Sequence, residues 1–148
     1  MISVAESQSP LSRLLYTSRC VIHGDQQEKM RKVREIANAS EKRNRFSGLT
    51  GTLLFIDDTF IQILEGPTNR MEPVFEAICC DLRHREINLV DLVPIKSRMF
   101  AQWEMALIAD DNNTHTERHA NLQEVKLTIG VNAREAERQM RDLLVDQD

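Results

Sequence analysis

Gln62 stands in the middle of FIQILEGP, residues 60–67, flanked by Phe60, Ile61, Ile63 and Leu64. The apolar pattern predicts a strand. A carboxamide carried there out of water needs partners for two donors and an acceptor. Tyr16, the chain's single tyrosine, raises the same question in LSRLLYTS, where it shares a strand face with Leu14. If the two strands are neighbours, phenol and amide meet. Ser40, Arg43 and Asn44 cluster at the predicted end of a first helix, and Asp81, Arg83 and His84 at the end of a second. An amide and a cation would then stand at the ends of two helices over one sheet face. Ile36 and Ile78 would line an apolar slot between them. A planar heterocycle with a polar rim suits such a slot.

Each residue alone has a plainer reading. Asn44 reads as a helix C-cap, Arg83 and His84 as cations favoured at a helix C-terminus, and Tyr16 as a hydrogen-bonded core aromatic. Trp103 and Met105 read as a strand core pair. Only the joint arrangement points to a ligand. Other chemistries lack their residues: the five glycines are scattered, with no phosphate-cradling loop and no G-x-S-x-G elbow. His115 and His119 have i,i+4 spacing but no third ligand, so a solvated helix face is expected and no metal. Cys79 and Cys80 are expected to fill core space.

The elements that must position these groups follow from periodicity. Residues 1–10 are expected to be a flexible leader. Strand LSRLLYTS (11–18) precedes an amphipathic helix from Asp25, its cap, to Asn44, with Met30, Val33, Ile36, Ala37 and Ser40 on one face. SGLTGTLLF, a short IDDT turn and FIQILEG predict a hairpin. A helix over 68–82 follows, with Pro73 expected in its first turn. Strands 88–95 and 100–108 come next; the second puts Trp103, Met105 and Leu107 on one face. The order β-α-β-β-α-β-β predicts an α+β, ferredoxin-like sheet with an extra strand and two helices on one face. Residues 111–148 form an extension: a polar linker at 111–116, then helices over 117–129 and from Asn132, whose Glu135 completes a capping-box pattern. These helices are predicted to cover the free sheet face or form a subunit contact.

At 148 residues the chain fits one domain, here residues 11–110 plus the extension. A net charge of −4 argues against a nucleic-acid binder. No apolar run approaches a membrane span. Three cysteines, two adjacent, do not form a disulfide framework, which fits a reduced, cytoplasmic protein.

The motifs LSRLLYTS, RNRFSGLTGTLLF, FIQILEGP, DLRH and FAQWEM, in that order over about residues 11–108, resemble the BLUF family of flavin-dependent blue-light sensors. The resemblance implies roles for individual residues. Tyr16 matches the photo-oxidised tyrosine and Gln62 the switching glutamine beside flavin N5. Asn44 matches the asparagine at the C4=O/N3 edge, Arg83 the arginine near C2=O, and Asp81 the residue near the ribityl chain. His84, Ile78 and Ile36 match residues packed on the ring, and Ser40 one at its edge. Met105 and Trp103 match the strand-5 pair that couples the glutamine to the sheet. Three features depart from the family. The 20–29 segment is longer than in compact members. Arg43 stands where members vary, to stack on the ring or reach solvent. Ala77 replaces a phosphate-facing arginine found in some members. FAD is therefore expected, with FMN and riboflavin open.

The function implied is a blue-light photoreceptor, not an enzyme. Light draws an electron and a proton from Tyr16, and Gln62 is left rearranged with a new hydrogen bond to the flavin carbonyl, shifting absorption red. Strand 5 passes the change to the tail, and output goes to a separate signalling partner or a homo-oligomer interface, with neither nucleic acid nor membrane as partner. The competing readings are a small flavoprotein oxidoreductase and a light-blind structural homologue. The presence of Tyr16, Asn44 and Gln62 argues against the second.

Overall fold

The computed structural model describes residues 10–109 and 116–145. The leader up to residue 9, most of the 111–116 linker and His115 lie outside the described residues. Five strands form one sheet: β1 (Leu11–Cys20), β2 (Thr50–Ile56), β3 (Thr59–Pro67), β4 (His84–Ile95) and β5 (Ala106–Ala109), in the order β4-β1-β3-β2-β5. Helices α1 (Gln26–Ser47) and α2 (Thr68–Cys79) lie on one face, α3 (Glu117–Thr128) and α4 (Ala133–Val145) on the other. β1 and β3 are antiparallel neighbours at the centre, and β5 joins β2 in parallel.

Alternation along β1 and β3 divides their side chains between two cores. Leu14, Tyr16, Phe60 and Leu64 join the core under α1 and α2 with Met30, Val33 and Ala37. Leu15, Ile61 and Ile63 join the other with Leu122 and Val125 of α3 and Ala136, Met140 and Leu144 of α4. The extension therefore covers the free sheet face. The Asp57–Asp58 turn places both residues at positive φ (48° and 57°), the primed geometry that matches strand twist in a tight hairpin. Asp25 caps α1 through its carboxylate to Glu28 N at 2.9 Å. Asn132 accepts from Glu135 N at 3.1 Å at the start of α4. Among the described residues, no helix is long and apolar enough to cross a membrane.

The structure corrects several sequence expectations. α1 runs past Asn44 to Ser47 and ends on Gly48, whose φ of 69° takes the left-handed cap conformation, so Asn44 is not the C-cap. α2 begins directly where β3 ends at Pro67, so Pro73 sits inside it rather than in its first turn. The missing N–H leaves the carbonyl of exposed Asn69 without its helical donor. α2 also stops at Cys79. Asp81 and Arg83 lie in the following turn, His84 starts β4, and Leu82 is exposed. Cys79 and Cys80 are exposed, because the buried stripe of α2 is Met71, Val74 and Ile78 and the next two positions rotate away from it.

The last strand is only Ala106–Ala109. Upstream of it, Met99 N and Phe100 N donate to the Glu65 carboxylate at 3.0 and 2.7 Å, not to a neighbouring strand. Alternation therefore does not hold there, and Trp103 and Met105 fall on opposite sides of the sheet. Trp103 packs against the core under α3 and α4, Met105 into the core under α1 and α2.

Candidate functional site

The register pairs Tyr16 directly opposite Gln62. Residues opposed across antiparallel strands share a face with Cβ atoms about 5 Å apart. The Tyr16 hydroxyl donates to Gln62 Oε1, and each residue is 3% exposed. Burial raises the Tyr16 phenol far above its ordinary range, with the nearby Arg43 cation pulling the other way. The phenol is thus held protonated as a donor. Gln62 Nε2 points to Met105 Sδ at 3.8 Å, a weak acceptor. The amide nitrogen, with two hydrogens, has no strong acceptor among the described residues.

Over this pair, between α1 and α2, lies a cavity of about 240 Å³. Tyr16 and Gln62 form its floor with Leu53 and Phe60. Ile36, Ala39, Ser40 and Arg43 of α1 line one wall, and Ile78, Asp81, Arg83 and His84 the other. The α1 residues reach the same wall because positions 36, 40 and 43 lie three or four apart on one helical face. Sequence reasoning missed Leu53, Phe60 and Ala39 as lining residues. Phe60 is two residues from Gln62 on β3 and Leu53 is its cross-strand partner on β2, so alternation and hairpin register carried the signal for both.

The polar rim is only partly satisfied. Arg43 Nε and Nη2 are buried without a partner among the described residues, as is Asn44 Oδ1. Desolvation lowers the Arg43 pKa from its ordinary value. Unmade hydrogen bonds of this kind cost about 1–3 kcal/mol each, more for charged groups. Asp81 and Arg83 face each other in a forked pair, with Arg83 Nε to Asp81 Oδ1 at 2.9 Å and Nη2 to Oδ2 at 2.5 Å. The Arg83 hydrogen bonds hold the Asp81 carboxyl below its ordinary range. His84 Nε2 lies 2.7 Å from the Ile78 carbonyl, so that nitrogen carries a hydrogen, and Nδ1 lies 2.7 Å from Ser18 Oγ. These two bonds fix the ring edge-on to Tyr16 at 6.2 Å between centroids.

Nine of the twelve residues singled out in the sequence line the cavity: Tyr16, Ile36, Ser40, Arg43, Gln62, Ile78, Asp81, Arg83 and His84. Asn44 does not line it. Its side chain is fully buried and Nδ2 donates to the Glu104 carbonyl at 2.6 Å. Met105 stands behind Gln62, and Trp103 is on the far side of the sheet. An apolar slot with two unpartnered guanidinium nitrogens, an amide nitrogen held only by a thioether sulfur and a nearby unpartnered carbonyl oxygen fits a planar ring edged with both acceptors and donors. The volume suits the ring alone, and any longer substituent must leave through the mouth.

Comparison with known proteins agrees with this chemistry. A family model described as "Sensors of blue-light using FAD" matches residues 11–106. The blue light- and temperature-regulated antirepressor BluF of Escherichia coli (strain K12) is 37% identical over 83 residues, covering 56% of this chain and 19% of that protein. A photoactivated adenylate cyclase subunit beta of Euglena longa is 32% identical over 77 residues, 51% of this chain and 9% of that protein. The chain thus spans about a fifth or less of these relatives' length. Among solved structures, the dark-state structure of the BLUF protein BlrB matches with a TM-score of 0.75 and 29% identity, covering 90% of this chain and 97% of that one. A bacterial light-regulated adenylyl cyclase matches at 0.69 and 28%, covering 86% of this chain and 36% of that one.

Proposed function

This chain belongs to the BLUF family of flavin-based blue-light sensors, and we propose that its photoresponse is carried by Tyr16 and Gln62, with FAD in the cavity between α1 and α2. The single observation behind this reading is the phenol that donates, on the cavity floor, to an amide whose nitrogen has only the weak acceptor Met105 Sδ. Bound flavin supplies the blue-absorbing chromophore and, once excited, an electron acceptor. Tyr16 would be the donor of an electron and, by way of Gln62, of its phenolic proton to that acceptor, and both would return to it. A primary amide has one donating and one accepting end, so rotation or tautomerisation leaves its hydrogen-bond pattern reversed. Such a change is worth about 1 kcal/mol or more, enough to bias a nearby two-state element. The first neighbour to feel it is Met105 through its sulfur.

Around the ring, Arg43 supplies buried donors, Ile36 and Ile78 the apolar walls, and Arg83 and Asp81 the rim, with Ser40 and His84 at its edges. Asn44 takes part by turning its amide from the Glu104 carbonyl. Residues 11–110 act as the sensor and 111–148 as the output extension. The chain itself is a cytoplasmic, non-enzymatic module that signals to a separate protein or through self-association.

The test is optical. Protein purified with flavin is expected to shift its absorption reversibly red under blue light, and Gln62→Leu to retain the pigment without the shift. A normal shift in Gln62→Leu removes the amide from the mechanism. Steady NADH oxidation in the dark would favour a flavoprotein oxidoreductase instead.

A further inference from the structure

Glu65 is fully buried, three residues beyond Gln62 and on the opposite sheet face. Its carboxylate is engaged from three directions. Oε2 accepts from Arg13 Nε at 2.8 Å and from Met99 N at 3.0 Å, and Oε1 from Phe100 N at 2.7 Å. Arg13 reaches on to Glu137 Oε1 in α4 at 3.4 Å. Glu137 is 1% exposed, and its Oε2 has no partner among the described residues. The contacts therefore run from the segment before β5, across β3 and β1, into the C-terminal helix.

They begin where the photoswitch ends. Trp103 N donates to the Phe100 carbonyl at 3.2 Å, and Gly51 N to the Trp103 carbonyl at 2.8 Å, so the turn held by Glu65 leads directly to Met105. Two buried carboxylates share one guanidinium, which leaves an excess negative charge. The groups facing Glu137 are Arg13 of β1, Glu65 of β3, Asp91 of β4 and Arg134 of its own helix. Burial raises the Glu137 carboxyl above its ordinary range, with Arg13 pulling it down. The charged form is thus held against desolvation and depends on where Arg13 points. A carboxyl whose folded-state value is raised is stabilised by protonation, whereas moving its counter-ion away leaves a buried charge uncompensated and is destabilising.

We infer that Arg13, Glu65 and Glu137 form a charge latch: displacement of the Met99–Met105 segment re-aims Arg13 and loosens the docking of α4 on the sheet. The three are positioning residues; none lines the cavity. The inference rests on the Tyr16–Gln62 photoswitch for its trigger, while the latch itself acts in the dark as well.

The experiment is hydrogen exchange of residues 133–145 in the full flavin-loaded chain, lit and dark, at neutral and mildly acidic pH, with the colour change recorded in parallel. In the wild type, light is expected to speed exchange in α4. Glu137→Gln is expected to keep the colour change and lose the light-minus-dark difference. Arg13→Lys keeps the charge but not the fork that reaches both carboxylates, so it is expected to behave in the same way. In the dark, a raised Glu137 value means the folded state binds the proton more tightly. Protection of α4, corrected for intrinsic exchange, therefore rises as pH falls and decreases as pH climbs through that value. This dependence is expected to vanish in Glu137→Gln. A full light-minus-dark difference in Glu137→Gln overturns the latch. If the wild type shows no colour change, the photoswitch reading fails and the dark arm decides: pH-independent protection in the wild type overturns the latch, and a dependence removed by Glu137→Gln supports it.

Discussion

The phenol–amide bond at the centre of the site has a measurable energetic signature. Tyr16 and Gln62 are each 3% exposed, so deleting one group leaves the other buried without its partner. Gln62→Leu orphans the phenol hydroxyl, and Tyr16→Phe orphans the amide oxygen; each is expected to cost about 1–3 kcal/mol. The double variant removes both polar groups and leaves apolar side chains of similar shape among Leu53 and Phe60. Replacing both partners in this way is close to neutral. The two changes are therefore expected to be non-additive by at least about 2 kcal/mol, the double variant being more stable than the sum of the singles predicts. Urea unfolding of all four proteins without flavin measures this, since the cofactor's own binding then adds nothing to stability. Additivity within about 0.5 kcal/mol would mean that no coupling joins the two side chains, and the proton route between them would be refuted.

Other perturbations probe the cavity and the sheet beneath it. Arg43→Met removes orphaned donors, so it is expected to leave flavin-free stability unchanged or slightly raised while weakening flavin binding roughly tenfold or more; unchanged affinity by fluorescence titration would contradict it. Above the ordinary phenol value of 10.0 the unfolded chain releases the Tyr16 proton while the folded chain keeps it. Stability contributed by the neutral phenol is thus present below that pH and is lost as pH rises toward the folded value. Because Tyr16 is the chain's single tyrosine, phenolate absorbance is expected to appear only with unfolding, and Tyr16→Phe to flatten the alkaline decline. A Cβ at Gly51 would stand 2.0 Å from the Ile63 carbonyl oxygen, so Gly51→Ala is expected to cost about 3 kcal/mol or more in urea unfolding by forcing β2 and β3 apart.

The amino-acid sequence determined what depends on neighbours along the chain. Alternation set Tyr16 and Gln62 on inward faces, 3.6-residue periodicity set Met30, Val33, Ile36, Ala37 and Ser40 along one side of α1, and Asp25 announced its cap. The family motifs supplied the ligand class that spacing alone left open. Tertiary structure decided everything that turned on a partner distant in sequence. Gly48 rather than Asn44 ended α1, which freed the Asn44 amide to reach the Glu104 carbonyl 60 residues away. The Glu65 carboxylate took the backbone donors of Met99 and Phe100, so the extended pattern read over 100–108 formed a strand only from Ala106. That single substitution of a side chain for a neighbouring strand sent Trp103 and Met105 to opposite cores. Local periodicity records which way a residue points if its segment is regular; whether the segment is regular depends on which groups, near or far, satisfy its backbone.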